Sequence, residues 1–280
     1  MAMAYARLAE MDEDGAKKLL DGALAAERAQ APEGRLPDVL QNVHFTRAVE
    51  LLRAQEIEPA RRELAATGAL DANADPLGRS IAALLLDRAG APDQGAGLLR
   101  GRAAPFWGHY PVGAWRIHWE AAYPRAFEAN VVQEAGKNQI PASLVWAIMR
   151  EESAFIPEAR SGSNAYGLMQ LIPPTAKWIA QGTTLPFDEV SLKKPDVSVA
   201  LGARLLAKLR QTHAAHPGLA IAAYNGGSGA VTRWLSGRRQ DDFDLFVELI
   251  PWDETRNYVK RVMMSEAVYT FLYDSAVLHG

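Results

Sequence analysis

The chain has 280 residues, enough for one large or two ordinary domains, and its 49% apolar and 22% charged content suits a folded protein rather than a disordered one. With 30 basic against 33 acidic residues the net charge is -3, which carries neither a nucleic-acid footprint nor a polybasic membrane patch. No cysteine is present, so disulfides, thiolate nucleophiles and cysteine-ligated zinc are excluded.

The start, Met1-Ala2-Met3-Ala4-Tyr5-Ala6-Arg7, lacks a basic stretch followed by an apolar one and does not read as a secretory signal. No apolar run approaches the ~20 residues needed to span a bilayer, so an integral membrane protein is not expected. Residues 1 to 105 read as short helices joined by tight turns, rich in Ala and Leu and without strand-like alternation. Ala48, Leu51, Leu52 and Leu64 recur as Ala82, Leu85, Leu86 and Leu98, at an offset of 34 residues that suits a stacked array of helical hairpins. Gly101 to Gly113 then breaks the pattern with Pro105, Gly108 and Pro111. Its aromatics, Phe106, Trp107 and Tyr110, predict a packed boundary rather than an open linker. The expected division is a helical array and linker over 1–113 and a second domain over 114–280.

Three helices frame the second domain. The first runs from Pro141 to Glu151 or Glu152, with Leu144, Val145, Ile148 and Met149 as its apolar face. The second runs from Asp196, placed to cap it, to Leu209. The third starts near Asp253 or Glu254, carries Tyr258, Val259, Val262 and Met263, and continues to Tyr273. Strand signals are weak, so the fold class is mainly α.

Chemistry concentrates where the first helix ends, at Arg150-Glu151-Glu152-Ser153-Ala154-Phe155-Ile156-Pro157. Pro157 forbids continuation, which puts Glu152 in the last turn, at the negative end of the helix dipole. Its pKa is expected to rise, as a general acid working near neutral pH requires. Three further segments follow in order. Ser161-Gly162-Ser163-Asn164-Ala165-Tyr166-Gly167-Leu168-Met169-Gln170 is a polar loop tightening at Gly167, where glycine permits positive φ. Ala222-Ala223-Tyr224-Asn225-Gly226-Gly227 ends an Ala-rich helix in a Gly turn, and Ile250-Pro251-Trp252-Asp253-Glu254-Thr255-Arg256-Asn257-Tyr258-Val259 opens the last helix.

In order and spacing, the Glu-Ser-x-Phe, Gly-Leu-Met-Gln, Ala-Tyr-Asn-Gly-Gly and Glu-Thr-x-x-Tyr-Val blocks resemble the catalytic domain of the soluble lytic transglycosylase family, which has a goose-type-lysozyme-like fold. The resemblance spans residues 115 to 273 and includes Tyr123-Pro124 and Ala147-Ile148. It implies a helical, lysozyme-like catalytic domain behind an α-superhelical array. Glu152 would be the acid/base. Ser161 and Gln170 would contact the muramic-acid sugar, with Tyr224 and Asn225 lining the cleft and Tyr224 close to Glu152. Glu254 would be buried or cleft-lining beside them. The Gly162-Ser163-Asn164 turn departs from the family's usual Pro- or Val-containing one.

The implied substrate is the glycan strand of bacterial peptidoglycan, cut between N-acetylmuramic acid and N-acetylglucosamine with a 1,6-anhydromuramyl end and no cofactor. Such a substrate implies a periplasmic protein, its leader already removed. A hydrolytic muramidase of the same fold and a non-catalytic glycan-binding scaffold stand as alternatives. His213 and His216 share a helical spacing, but no third ligand accompanies them, so a structural or exposed pair is expected rather than a metal site. Trp115, Trp119, Trp146, Trp178, Trp234 and Trp252 are mostly core by default, with one or two able to stack on sugar rings.

Overall fold

The computed structural model describes residues 11–30, 38–71, 73–100, 105–236 and 243–274. The leader reading at Met1 to Arg7 and part of the Gly101 to Gly113 break therefore lie outside the described residues. Among those described there are 14 α-helices and no strand, only isolated bridges of Tyr166 with Arg160 and Leu171. The chain divides into two compact units, one of residues 1–126 with 271–280 and one of residues 127–270.

In the first unit, α1 (Glu13–Gln30) precedes two hairpins, α2–α3 (Val43–Arg53, Ile57–Ala66) and α4–α5 (Pro76–Arg88, Pro92–Leu98). The repeat is structural. Ala48 and Ala82 are both fully buried, and Leu52 and Leu86 occupy matching places in one core with Ala60 and Leu64. Each hairpin turns through a left-handed residue, Gln55 in one and Gly90 in the other. The second turn comes one residue late on the 34-residue offset. α6 (Arg116–Ala122) packs against α4, and a buried hydrogen bond of 2.8 Å joins Ser80 Oγ to His118 Nδ1. Phe106, Trp107, Trp119 and Tyr123 stack as an aromatic cluster behind it. The Arg116 guanidinium donates to the Leu272 oxygen at 2.8 Å, and the Tyr273 hydroxyl to the Tyr123 oxygen at 2.8 Å. These ties place 116–126 and the chain's last turn in the first unit. The compact boundary is thus Ala126, later than the composition break at Gly113.

The second unit contains α7 (Glu128–Asn138), α8 (Ala142–Ser153), α9 (Pro173–Ala180), α10 (Pro195–Thr212), α11 (Pro217–Gly226), α12 (Ser228–Leu235), α13 (Phe243–Glu248) and most of α14 (Asp253–Tyr273). α8 is not the one-sided helix its periodicity suggests, because every residue from Leu144 to Arg150 is buried. A helix apolar on nearly all sides belongs inside a domain. α10 is its counterpart, buried without a break from Val197 to Ala203, and it packs against α7 and α11. Asp196 does not cap α10. It lies in the first turn, and Lys194 holds the cap position without a side-chain bond. The two histidines take structural places: His213 Nε2 bonds Ser228 Oγ at 2.6 Å, and His216 Nδ1 accepts from the Gly218 N–H to cap α11.

The loop from Ser161 to Gln170 is pinned to this frame. The Met169 N–H donates to the buried Ser198 Oγ at 3.1 Å, and the Gly167 N–H donates to the Ala159 oxygen at 2.9 Å. Gly167 has φ +77, and a Cβ there would stand 1.9 Å from the Leu192 carbonyl oxygen. Both the backbone angle and the space demand glycine. Gly167→Ala is expected to destabilise the chain by more than about 2 kcal/mol in chemical denaturation, because strain and overlap add. A loss below about 0.5 kcal/mol would show that the loop does not approach the Leu192 carbonyl this closely.

Candidate active site

Glu152 lies near the end of α8, but Pro157 is not what ends the helix. The chain leaves it three residues earlier, through Ala154 (φ 56) and Phe155 (φ 67), both in the left-handed region. Two consecutive non-glycine residues there store backbone strain, of order 1–3 kcal/mol each, that surrounding structure must hold. Ser153 supplies part of the hold: its hydroxyl donates to the Met149 oxygen at 3.1 Å and accepts from the Phe155 N–H at 3.1 Å. The fully buried Phe155 ring supplies the rest.

The Glu152 Oε1 accepts a 2.6 Å hydrogen bond from the Tyr258 hydroxyl, which arrives from α14. Its pKa is raised from an ordinary 4.5 to about 7. Burial of the carboxyl is the main cause, and the nearby charges of Glu151 and Glu254 push the same way, while the Tyr258 bond stabilises the carboxylate and pulls the value down. The direction matches the expectation from the helix terminus, but desolvation, not the dipole, dominates. Burial and the Glu152 charge keep the Tyr258 phenol well above its usual range, so it stays a donor.

The other expected residues converge on the same unit with different contacts. Tyr224 is near enough for the Glu152 charge to raise its pKa, after burial, yet its hydroxyl donates to the Met169 oxygen at 2.7 Å. The α11 end is thereby tied to the Gly-Leu-Met-Gln segment. Gln170, itself left-handed at φ 46, donates its amide to the Gly167 oxygen at 2.9 Å and the Ala159 oxygen at 3.2 Å. Ser161 Oγ accepts from the N–H groups of Ser163 and Ala165 at 3.2 and 3.1 Å, closing the unusual Gly162-Ser163-Asn164 turn onto itself. Asn225 Oδ1 accepts from the Thr255 hydroxyl at 2.6 Å. Glu254 is solvent-exposed in the first turn of α14, not buried.

Two contacts were not legible in the sequence. Tyr258 reads there as one more apolar-face residue of the last helix, and its place in the Glu-Thr-x-x-Tyr block was the only hint. Glu151 binds the Arg261 guanidinium at 2.8 Å. Thus Trp252, just before α14, and Thr255, Tyr258 and Arg261 on it, three residues apart, form a ridge. It touches Trp234, Asn225, Glu152 and Glu151 in turn.

The chain is similar to several known proteins. Residues 129–247 match the family described as "Transglycosylase SLT domain". That segment lies within the second unit, which therefore carries the likeness to the family. Over 135 residues it is 41% identical to a putative soluble lytic murein transglycosylase of Haemophilus influenzae, covering 48% of this chain and 23% of the relative. Over 157 residues it is 34% identical to the soluble lytic murein transglycosylase of Escherichia coli K12, covering 55% of this chain and 24% of that one. The chain thus spans about a quarter of the length of these relatives. Among solved structures, an inactive E503Q mutant of lytic transglycosylase Slt from Pseudomonas aeruginosa superposes with a TM-score of 0.65 at 29% identity, over 97% of this chain and 46% of the other. The 70 kDa soluble lytic transglycosylase of E. coli gives a TM-score of 0.63 at 26% identity, over 98% and 46%.

Two outcomes follow from the electrostatics. Below pH 4.5 Glu152 holds its proton in folded and unfolded chains alike. As pH rises through about 7 the folded chain must ionise a desolvated group, which costs up to about 3 kcal/mol. Glu152→Gln removes that cost, so its melting temperature should exceed that of the native chain at pH 8 and the gap should shrink at pH 5. An equal gap at both values would mean that the carboxyl is not desolvated. The second outcome concerns the neighbours. Glu151→Gln and Glu254→Gln each remove a negative charge that disfavours the Glu152 carboxylate. Each should lower the Glu152 pKa in a carboxyl-carbon NMR titration, with Glu151 the larger effect. An unmoved titration in both would remove these charges from the site.

Proposed function

We propose that the second unit is a peptidoglycan lytic transglycosylase that cleaves the β-1,4 bond between N-acetylmuramic acid and N-acetylglucosamine, with Glu152 acting first as acid and then as base. The observation that carries this reading is a carboxyl group with a pKa near 7, placed inside the transglycosylase-domain segment and held by Tyr258, which lies beyond that segment. Near neutral pH such a group can both give and take a proton. The names of the E. coli and H. influenzae relatives support the substrate, and the inactive E503Q enzyme of P. aeruginosa supports dependence on one glutamate.

The protonated Glu152 donates to the glycosidic oxygen as the bond from the muramyl anomeric carbon to that oxygen breaks. N-acetylglucosamine departs with a free 4-hydroxyl. The muramyl N-acetyl group stabilises the oxocarbenium-like centre, as in substrate-assisted glycosidases, so no second carboxylate is required. Glu152, now ionised, takes the proton of the muramyl 6-hydroxyl while that oxygen attacks the anomeric carbon. The acid is restored, and the product carries a 1,6-anhydro ring. Tyr258 holds the carboxylate oriented between the steps. Ser161, Gln170, Tyr224, Asn225 and Glu254 form the sugar-binding rim, Ser161 and Gln170 through the loop that they brace. The first unit's hairpins act as an accessory array, and the substrate places the protein in the periplasm. No helix among the described residues is long and apolar enough to cross a membrane.

Glu152→Gln should lower release of soluble fragments from purified murein at least about a hundredfold, the usual worth of a general acid. Turnover within about tenfold of native would contradict the assignment.

A further inference from the structure

Trp252, the residue before α14, is 49% exposed. Its ring meets the buried Trp234 ring with centroids 5.1 Å apart and planes at 84°. In such a T-shaped pair, either the edge of Trp234 addresses one face of Trp252 or the edge of Trp252 addresses Trp234. At least one Trp252 face is therefore free of its partner in both cases.

The position is fixed from two sides. The Trp252 carbonyl accepts from the Arg256 N–H at 2.9 Å, which ties it to the first turn of α14. A methyl group on Gly226 would stand 3.0 Å from Trp234 Cη2 and 3.3 Å from Thr255 Oγ1, so the α11 end, Trp234 and α14 form one packed corner. Trp252 is the first step of the ridge that continues through Thr255 to Tyr258, the residue bound to Glu152. Tyr258 is six residues further on, about 9 Å along the helix axis and roughly the length of two linked sugars. Trp178, the other half-exposed tryptophan, has Lys208 Nζ over its ring at 4.6 Å.

A β-1,4-linked N-acetylated pyranose carries its hydroxyls and amides around the rim and presents C–H groups on its faces. That apolar face, with its slightly positive hydrogens, complements the negative face of an indole. The exposed Glu254 carboxylate, two residues on, can accept from rim hydroxyls.

We propose that Trp252, braced by Trp234, is the stacking platform of a glycan subsite about two sugars from the cleaved bond. The proposal rests on the glycan-cleaving reading above. It is tested by titrating chitohexaose, a β-1,4-linked N-acetylglucosamine oligomer, calorimetrically into the full-length Glu152→Gln chain, alone and combined with Trp252→Ala or Trp252→Phe. The alanine change should weaken binding about tenfold, and phenylalanine, which keeps an aromatic face, should stay within about threefold of the parent. Unchanged binding in the alanine variant would overturn the proposal, as would equal weakening in both variants or no binding by the parent. A chain that cleaves murein but binds chitohexaose without help from Trp252 refutes the subsite alone. Binding through Trp252 by a native chain that cleaves nothing refutes the lytic reading and keeps the subsite.

Discussion

Desolvation of the Glu152 carboxyl is the constraint on which the site depends. A carboxylate in water has a pKa near 4.5 and is a poor proton donor at neutral pH, whereas the Glu152 group is raised to about 7. Holding a group in that condition requires a rigid wall around it, since water admitted to the site would return the pKa to its ordinary range. Tyr258 and Tyr224 stand against the carboxyl, and its own helix α8 is held in place by burial from Leu144 to Arg150 and by the left-handed turn at Ala154 and Phe155. The strain in that turn is tolerated because Phe155 is fully buried and Ser153 bonds both sides of the break.

Opposing effects meet at the same carboxyl. Burial alone would leave a neutral acid reluctant to ionise, and the Tyr258 hydroxyl offsets part of that cost by donating to the carboxylate. The neighbouring Glu151 pushes the other way but is itself paired with Arg261. One ridge of α14 thus delivers both the donor for Glu152 and the counter-charge for Glu151. Its first turns reach Asn225 and Trp234 at the ends of two further helices. A displacement of α14 would alter proton affinity and cleft shape together, which links packing in this unit to chemistry.

What could be read in the sequence was local. The 3.6-residue pattern placed the long helices, the Ala and Leu repeat anticipated two stacked hairpins, and Gly167 declared its positive φ. Glu152 stood out through the blocks around it. What could not be read depended on contacts across the chain. Tyr258 meets Glu152 from 106 positions away and looks like an ordinary apolar-face residue. Pro157 advertised a helix stop that Ser153 and Ala154 had already made. Asp196 had the chemistry of a cap, but the helix began one residue earlier, at Pro195. The aromatic break at Gly101 to Gly113 marked a change of composition, whereas burial of His118 against Ser80 carried the compact unit on to Ala126. Helix periodicity reports which face is apolar and says little about what will cover it.

The central claim is that one carboxyl group and the substrate's own hydroxyl complete the reaction without water. A mass spectrum of the fragments released from purified murein tests it directly. The account predicts muramyl ends that are lighter by one water than a hydrolysed standard, and no incorporation of heavy oxygen when the digestion is run in oxygen-18 water. Full-mass ends carrying the heavy label at the anomeric oxygen would contradict it and make the same Glu152 the acid of a muramidase.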